Sequence, residues 1–397
     1  NTIIMIDQKN TFFIKVFFFC TKYDILLQKK EEAVVTIEEQ IYEFAKKRHL
    51  EAGITTAEPF SQLYPVLSQK AKELEGFVEK DINKRIDPKL TMKDAKSIIV
   101  LAMGYGYRKK KAICQSTLTG EFSIAAVATD YHTLLKAHLK ELAFYLEQKI
   151  PDFKAMAFVD TGPLVDRAVA IRAGLGWLGK NGSVHTSKFG SLAFFGYLLT
   201  NLSLEQKNAV IGSCNACQCC IDNCPTGALS KNMFHMKKCI SYLTQTKTIL
   251  PIEMMKTMGN QLYGCDICQV VCPKNQKALS SFTEVETTFS LEALLHCSNK
   301  IFSEKIGKTA SGWRGKKILQ RNALIALANS KSKQALPLLE EALQDKRPLI
   351  RQTAVRAIFI LQQPEGVLLL EKAEKTEQEY DILQEIQHIK NQLKAGE

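Results

Sequence analysis

The sequence predicts an α/β domain, a cysteine-rich cluster-binding segment and an all-α tail of helical repeats, in that order. Apolar strand-like runs alternate with helical stretches over residues 35–210, two cysteine runs fall within 211–285, and short helices with shared Arg and Ala–aliphatic positions recur within 286–397. Residues 1–34 stand apart as an N-terminal extension.

The α/β reading is built element by element. Thr36 to Ala52 has Ile37, Ile41, Phe44 and Ala45 at helical spacing, with Gly53 as its stop. Ala95 to Met103 is an apolar strand ended by Gly104 and Gly106. Tyr131 to Gln148 is a helix carrying Leu134, Leu135, Leu139 and Leu142. A second strand, Lys154 to Val159, runs directly into Asp160-Thr161-Gly162-Pro163. A helix from Leu164 to Ala173 leads to the glycine-rich loop G-L-G-W-L-G-K-N, and Ser191 to Thr200 forms a third strand. In the tail, R-N-A-L-I-A-L-A-N and R-Q-T-A-V-R-A-I-F-I begin about 30 residues apart and share Arg and Ala–aliphatic offsets, as HEAT-type helix pairs do. Too few for a free solenoid, these helices are expected to dock on the rest of the chain.

The cysteines specify chemistry. Cys214, Cys217, Cys220 and Cys224 follow C-x2-C-x2-C-x3-C-P, the spacing of two-cluster ferredoxins, in which the fourth thiolate turns away to a neighbouring cluster. Cys265, Cys268 and Cys272, followed by Pro273, repeat the tail of that pattern, with Leu262 where a further cysteine would stand. The missing ligand is sought among Cys20, Cys114, Cys219, Cys239 and Cys297, and Cys239, lying between the runs, is the natural supplier. The expected sets are Cys214, Cys217, Cys220 and Cys272 for one 4Fe–4S cluster, and Cys224, Cys239, Cys265 and Cys268 for the other. Cys219 is left as a spare thiol. Zinc accepts paired C-x2-C units but does not explain the doubled three-thiol pattern with Cys-Pro. Twelve cysteines in 397 residues are sparse for a disulfide-stapled secreted fold.

Bulk properties narrow the class. With 46% apolar and 24% charged residues the chain builds ordinary cores, and no apolar run nears the ~18–20 residues of a membrane span. Phe12 to Cys20 is aromatic but lacks a small-residue cleavage site, so with its clustered thiols the protein is expected in the cytoplasm. The net charge of +12 gathers at Arg108 to Lys111, Lys237-Lys238 and Lys305 through Arg321. That pattern fits either a solvated basic face or a polyanionic partner such as RNA or DNA.

Several residues are candidates for chemistry. Asp160, at a strand end, is a candidate acid; partial burial would lift its pKa towards a proton-donating range, whereas an Asx-turn or helix cap is the plainer reading. The loop Gly174 to Gly182, with Trp177, Lys180 and Asn181, lacks a dinucleotide fingerprint, but its glycines would let backbone approach a flat or anionic ligand. Asp130-Tyr131-His132 opens a helix, where capping by Asp130 is the plainer role. His185 reads equally as a surface strand position.

R-I-D-P-K-L at Arg85 to Leu90, D-Y-H at Asp130 to His132, D-T-G-P at Asp160 to Pro163 and A-G-L-G-W-L-G-K-N at Ala173 to Asn181 precede the two cysteine runs in that order. From about Val35 to the end, this series resembles the epoxyqueuosine reductases, cobalamin-dependent enzymes that complete queuosine in tRNA. The resemblance implies a cobalamin-binding α/β domain related to B12-processing and reductive-dehalogenase proteins, a ferredoxin-like domain with two 4Fe–4S clusters, and a HEAT-like tail. It implies electrons passing through the clusters to cobalamin and reduction of the epoxide on the wobble base of a tRNA anticodon loop. Asp160 would deliver a proton as the epoxide oxygen leaves as water. Asp160, His132, Gly176, Trp177, Lys180 and Asn181 would lie along the corrinoid. The family's cluster pairing agrees with the exchanged sets above, and a tRNA partner accounts for the basic charge. An electron donor of unidentified kind is implied, and nothing in the sequence demands more than a monomer. Residues 1–34 and the extra thiol of Cys219 depart from the family pattern.

Two other readings compete. A related corrinoid iron–sulfur reductase of a small molecule would need neither the basic charge nor the repeat tail. A non-catalytic electron carrier or nucleic-acid-binding iron–sulfur protein would be indifferent to Asp160→Asn.

Overall fold

The structure, a computed structural model, describes residues 35–70, 79–110, 118–206, 210–231 and 233–395. The N-terminal extension with Cys20, and the segment holding Lys111 and Cys114, lie outside the described residues.

A four-stranded sheet organises the first unit, in the order Glu51–Thr56, Ser97–Gly104, Ala193–Thr200, Ala155–Val159, with every neighbouring pair antiparallel. Its central strands are apolar almost throughout because helices cover both faces. On one face Ile41 and Phe44 of the helix Ile37–Lys47, and Leu135, Leu139, Leu142 and Leu146 of the helix Tyr131–Glu147, pack on Ile54, Ile99, Leu101 and Leu198. On the other, Val169 and Ala170 of the helix Asp166–Arg172 pack on Ile98, Val100, Tyr197 and Leu199. Leu134, expected on the apolar stripe, is exposed, and Leu146 takes its place.

The first helix is shorter than its pattern suggests. Thr36 and Glu39 form a reciprocal capping box at its start, but the helix ends at Lys47 and Glu51–Thr56 becomes an edge strand. Gly53 is therefore mid-strand. A Cβ there would come within 2.4 Å of the Ala173 carbonyl oxygen and 2.9 Å of Leu175, so the glycine lets the strand close on the segment after Arg172.

The cysteine segment is woven into this unit. Gln261–Tyr263 runs parallel to Thr119–Phe122, which pairs antiparallel with Thr288–Ser290, and Thr283–Val285 runs parallel to Tyr107–Lys109. Asn275, fully buried, accepts from the Ser191 N–H at 2.8 Å and donates to the Ser191 hydroxyl and the Gln269 carbonyl at 2.8 Å each. The Asp266 carboxylate accepts the Ile124 N–H at 2.8 Å.

The tail consists of the helices Lys316–Asn329, Leu336–Ala342, Pro348–Leu361, Gly366–Glu374 and Tyr380–Ala395. The first is buried around most of its circumference and forms the joint with the cysteine segment. Asn322 donates to the Thr244 and Leu262 carbonyls at 2.8 and 2.7 Å, and Asn329 to those of Met255 and Gly259 at 2.8 and 2.9 Å. Arg321, with no exposed surface, donates to the Leu243 and Thr248 carbonyls, and burial lowers its pKa to about 10. These polar side chains satisfy carbonyls that docking would otherwise leave unpaired. The charged stretch ending at Arg321 is thus not wholly a surface, and Arg108 and Lys109 are likewise engaged by Glu284, Glu121 and Asp266.

Candidate functional site

Where the strand Ala155–Val159 ends, the chain turns on Asp160, whose φ of 54° lies in the left-handed region. Asp tolerates that region better than most residues, yet such a conformation costs about 1–3 kcal/mol and is enriched at functional sites. The turn delivers the carboxylate to a cavity of about 620 Å³, lined also by Arg85, Tyr131, Asp166, Arg167 and Phe194.

Two neighbours hold Asp160. The Tyr131 hydroxyl donates to its Oδ2 at 2.7 Å, and His132 Nε2 stands 3.5 Å from the same oxygen. Tyr131 is itself fixed by stacking on Phe194, with ring centroids 3.8 Å apart and planes 2° from parallel. Asp130 has the capping role expected of it and a second contact: its Oδ1 caps the helix through the His132 N–H at 2.9 Å and meets His132 Nδ1 at 2.7 Å.

These contacts reverse the expected pKa of Asp160. Its side chain is 60% exposed, yet burial still pushes the carboxyl up as expected and is outweighed. The hydrogen bond from His132, then that from Tyr131, holds the carboxyl below the usual carboxylate range. His132 moves the opposite way, raised chiefly by its bond to Asp160 and further by Asp130. The two shifts run in opposite senses, both favouring the charged form of each partner. A second carboxyl, Asp166, is raised well above the usual range by burial and by the nearby charge of Asp160. Its Oδ1 is buried and without a hydrogen-bond partner among the described residues. Environments that push two neighbouring carboxyls apart separate a charged group from a proton-holding one.

The glycine-rich loop is arranged differently from its sequence reading. Gly176–Leu178 and Val184–Thr186 form a two-stranded hairpin, with Trp177 stacked on His185 at 4.7 Å. Gly176 and Gly179 are small to accommodate His185: a Cβ would lie 2.1 Å from its carbonyl oxygen in one case and 2.5 Å from its Nε2 in the other. His185 is buried rather than on the surface. Gly176, Trp177, Lys180 and Asn181 do not line the cavity, nor does His132, which reaches it through Asp160. The Lys180 N–H donates to the Cys214 thiol at 3.3 Å, and its ammonium to the Asn215 and Cys217 carbonyls at 2.8 and 2.9 Å. Asn181 turns inward, its amide 3.3 Å from the Ser191 hydroxyl. Arg167, a cavity residue, donates to the Gly182 carbonyl, so this loop joins the cavity wall to the first cysteine motif.

All ten described cysteines are free thiols. Their mutual electrostatic influence sorts them. Besides burial, Cys220 is raised by Cys214, Cys272 and Cys217, and Cys272 by Cys214 and Cys217. Cys239 is raised by Cys224, Cys265 by Cys239, and Cys268 by Cys265, Cys239, Cys220 and Cys224. No three His, Cys, Asp or Glu side chains among the described residues close to the spacing of a single-ion site. Cys297 is buried in the helical core, its thiol raised by burial and opposed by Lys316. Cys219 is exposed, its sulfur 3.6 Å from that of Cys217.

Sequence reading missed Tyr131, Asp166 and Arg167 as site residues. D-Y-H and the Asp-Arg pair beginning the helix Asp166–Arg172 were visible, but no spacing rule gathers them with Asp160 on one cavity wall.

Comparison with known proteins bears on most of the chain. Residues 85–161 match the family model described as "Epoxyqueuosine reductase QueG, DUF1730", residues 213–275 the "4Fe-4S double cluster binding domain", and residues 314–388 "HEAT repeats". The chain is 41% identical over 377 residues to the epoxyqueuosine reductase of Bacillus subtilis, covering 91% of this chain and 97% of that protein. It is 42% identical over 317 residues to that of Staphylococcus aureus, covering 77% and 83% respectively. A crystal structure of epoxyqueuosine reductase with a tRNA-Tyr stem loop modified by epoxyqueuosine has a TM-score of 0.84 at 40% identity, covering 90% of this chain and 98% of that one. A Bacillus subtilis structure, described as having its aspartate catalytic loop swung out of the active site, has a TM-score of 0.83 at 39% identity, covering 89% and 98%.

Proposed function

The chain belongs to the epoxyqueuosine reductase family, and from that premise we propose how its own residues reduce the epoxide of epoxyqueuosine at the tRNA wobble position to queuosine. The family's cofactors are two 4Fe–4S clusters and cobalamin, and the residues present fit them: eight free thiols from the two cysteine runs and Cys239, and a cavity of about 620 Å³ whose wall mixes apolar side chains with Arg85, Arg167 and the carboxyls of Glu79, Asp160 and Asp166. When bound, these groups supply the electrons. We assign Cys214, Cys217, Cys220 and Cys272 to one cluster and Cys224, Cys239, Cys265 and Cys268 to the other. The loop Gly176–Asn181, with Trp177 and Lys180, is assigned the place between the first cluster and the cobalamin site.

Removing an epoxide oxygen as water takes two electrons and two protons and leaves a carbon–carbon double bond. Asp160 is the group assigned to the leaving oxygen, in keeping with the aspartate loop named catalytic in the Bacillus subtilis relative. Because His132 holds the Asp160 carboxyl low and is itself raised by it, we assign the supply of that proton to His132, 3.5 Å away. Tyr131 fixes the carboxylate's direction, and Asp130 keeps the imidazole oriented. Asp166, its carboxyl raised by burial, stands on the same wall. The observation that carries this reading is the placement of Asp160 by a left-handed turn in a cavity whose wall continues, through Arg167 and Lys180, to the first cysteine motif.

No described helix is long and apolar enough to cross a membrane. We propose a monomer acting in the cytoplasm with a separate reducing partner. The test is anaerobic turnover of epoxyqueuosine-containing tRNA by protein reconstituted with iron, sulfide and cobalamin, read by nucleoside mass spectrometry. Queuosine should form only with cobalamin and reductant both present; no conversion by fully loaded protein would overturn the reading.

A further inference from the structure

Trp313 is one of two tryptophans in the chain, and it is 56% exposed on the turn Ala310–Arg314 that leads into the tail. A single exposed aromatic needs no explanation by itself, but this one is held in place. Its indole N–H donates to the Tyr263 hydroxyl, and the Arg314 guanidinium lies 3.7 Å from its ring centroid. Tyr263 is buried and donates to Gln245 at 3.2 Å.

The turn is fastened beside the catalytic helix. Thr129 bridges Thr309, the Asp130 N–H donates to the Lys308 carbonyl at 3.0 Å, and the Ser311 hydroxyl donates to the Ala126 carbonyl at 3.2 Å. Asp130 meets His132, which meets Asp160, so the turn is tied to the catalytic group, and Tyr263, the indole's partner, feels the charges of Asp160 and Asp130. Arg314 backs the ring, and Lys305, Lys308 and Lys317 are exposed along the same stretch. A rigid ring backed by a guanidinium and flanked by cations suits a flat, uncharged group carried on a phosphate backbone.

We propose that Trp313, backed by Arg314, is a stacking platform for an unpaired base of the substrate RNA, next to the nucleotide that enters the Asp160 cavity. This rests on the tRNA reading above. It gives the junction between cluster segment and tail a recognition role: the ring grips the loop while the reacting base is presented to Asp160.

The test is fluorescence anisotropy of a labelled epoxyqueuosine anticodon stem-loop, with turnover, on cofactor-loaded wild type, Trp313→Ala and Trp313→Phe. Base stacking on an aromatic side chain predicts roughly 5- to 150-fold weaker binding for Trp313→Ala, with KM raised and kcat nearly kept. Trp313→Phe should recover most of the affinity, and the salt dependence of binding should keep its slope, since no phosphate contact is lost. Stem-loops made abasic at each loop position in turn supply a second measurement on wild-type protein: one position should lose a similar factor. Wild-type binding with Trp313→Ala equally tight, or no abasic position sensitive, overturns the platform alone. Equal weakening in Trp313→Phe overturns it too, because the indole hydrogen bond would then be what matters. A wild type that neither binds nor converts the stem-loop overturns the platform together with the reading beneath it.

Discussion

At Asp160 the fold changes what local chemistry suggests. A carboxylate at an apolar strand end should be raised by burial; here His132 and Tyr131 lower it, because the helix Tyr131–Glu147 brings both to its Oδ2. The sign for pH follows. His132 is raised, so its attraction to Asp160 is fully present below the ordinary imidazole pKa and is lost as pH rises through the raised value. Asp160 is lowered, so its share is present above the ordinary carboxyl pKa and is lost only as pH falls through the depressed value. Between those limits the pair stays charged. The pH profile of kcat/KM should therefore have an alkaline limb that belongs to His132 and disappears in a slower His132→Gln enzyme. A limb unchanged in that variant would remove His132 from proton supply. For the clusters, Cys239→Ala should lose about half the iron, since one of the two ligand sets is then incomplete. Full iron content would pass the role to another thiol.

Among the elements, those with strong periodic signals were readable. The helix Tyr131–Glu147 and the strands Ser97–Gly104 and Ala193–Thr200 lie within two or three residues of their sequence readings, because local pattern and burial agree there. Glu51–Thr56 was hidden, since Gly53 reads locally as a helix stop and its need for a missing Cβ comes from distant Ala173. The glycines at 176 and 179 read locally as an open backbone face, while a Cβ at either would meet His185. Gly53→Val should thus cost about 1–3 kcal/mol through overpacking, a fall of several degrees in Tm by calorimetry. An unchanged Tm would mean the strand shifts without strain.

Across the whole molecule, the cysteine spacing was the most legible signal, because ligand chemistry is written over a few adjacent positions. The joint between tail and cluster segment was not, since the basic stretch ending at Arg321 reads as a charged face until the fold buries Arg321, with Asn322, against backbone carbonyls. Asn322→Leu should leave the Thr244 and Leu262 carbonyls unpaired, at about 1–3 kcal/mol each. We expect a lower Tm and a separate early transition as the tail loosens; a single unshifted transition would show that the joint does not depend on this side chain.

The central claim joins these scales: clusters and cobalamin supply electrons, while Asp160, positioned by the fold, handles the proton at the leaving oxygen. The most direct measurement is anaerobic single-turnover conversion of epoxyqueuosine stem-loop RNA by Asp160→Asn, with iron and bound cobalamin quantified in the same sample. The account predicts wild-type iron and cobalamin with turnover lower by about 10²–10⁴-fold, the usual contribution of a positioned acid. Turnover near the wild-type rate with both cofactors loaded would contradict it.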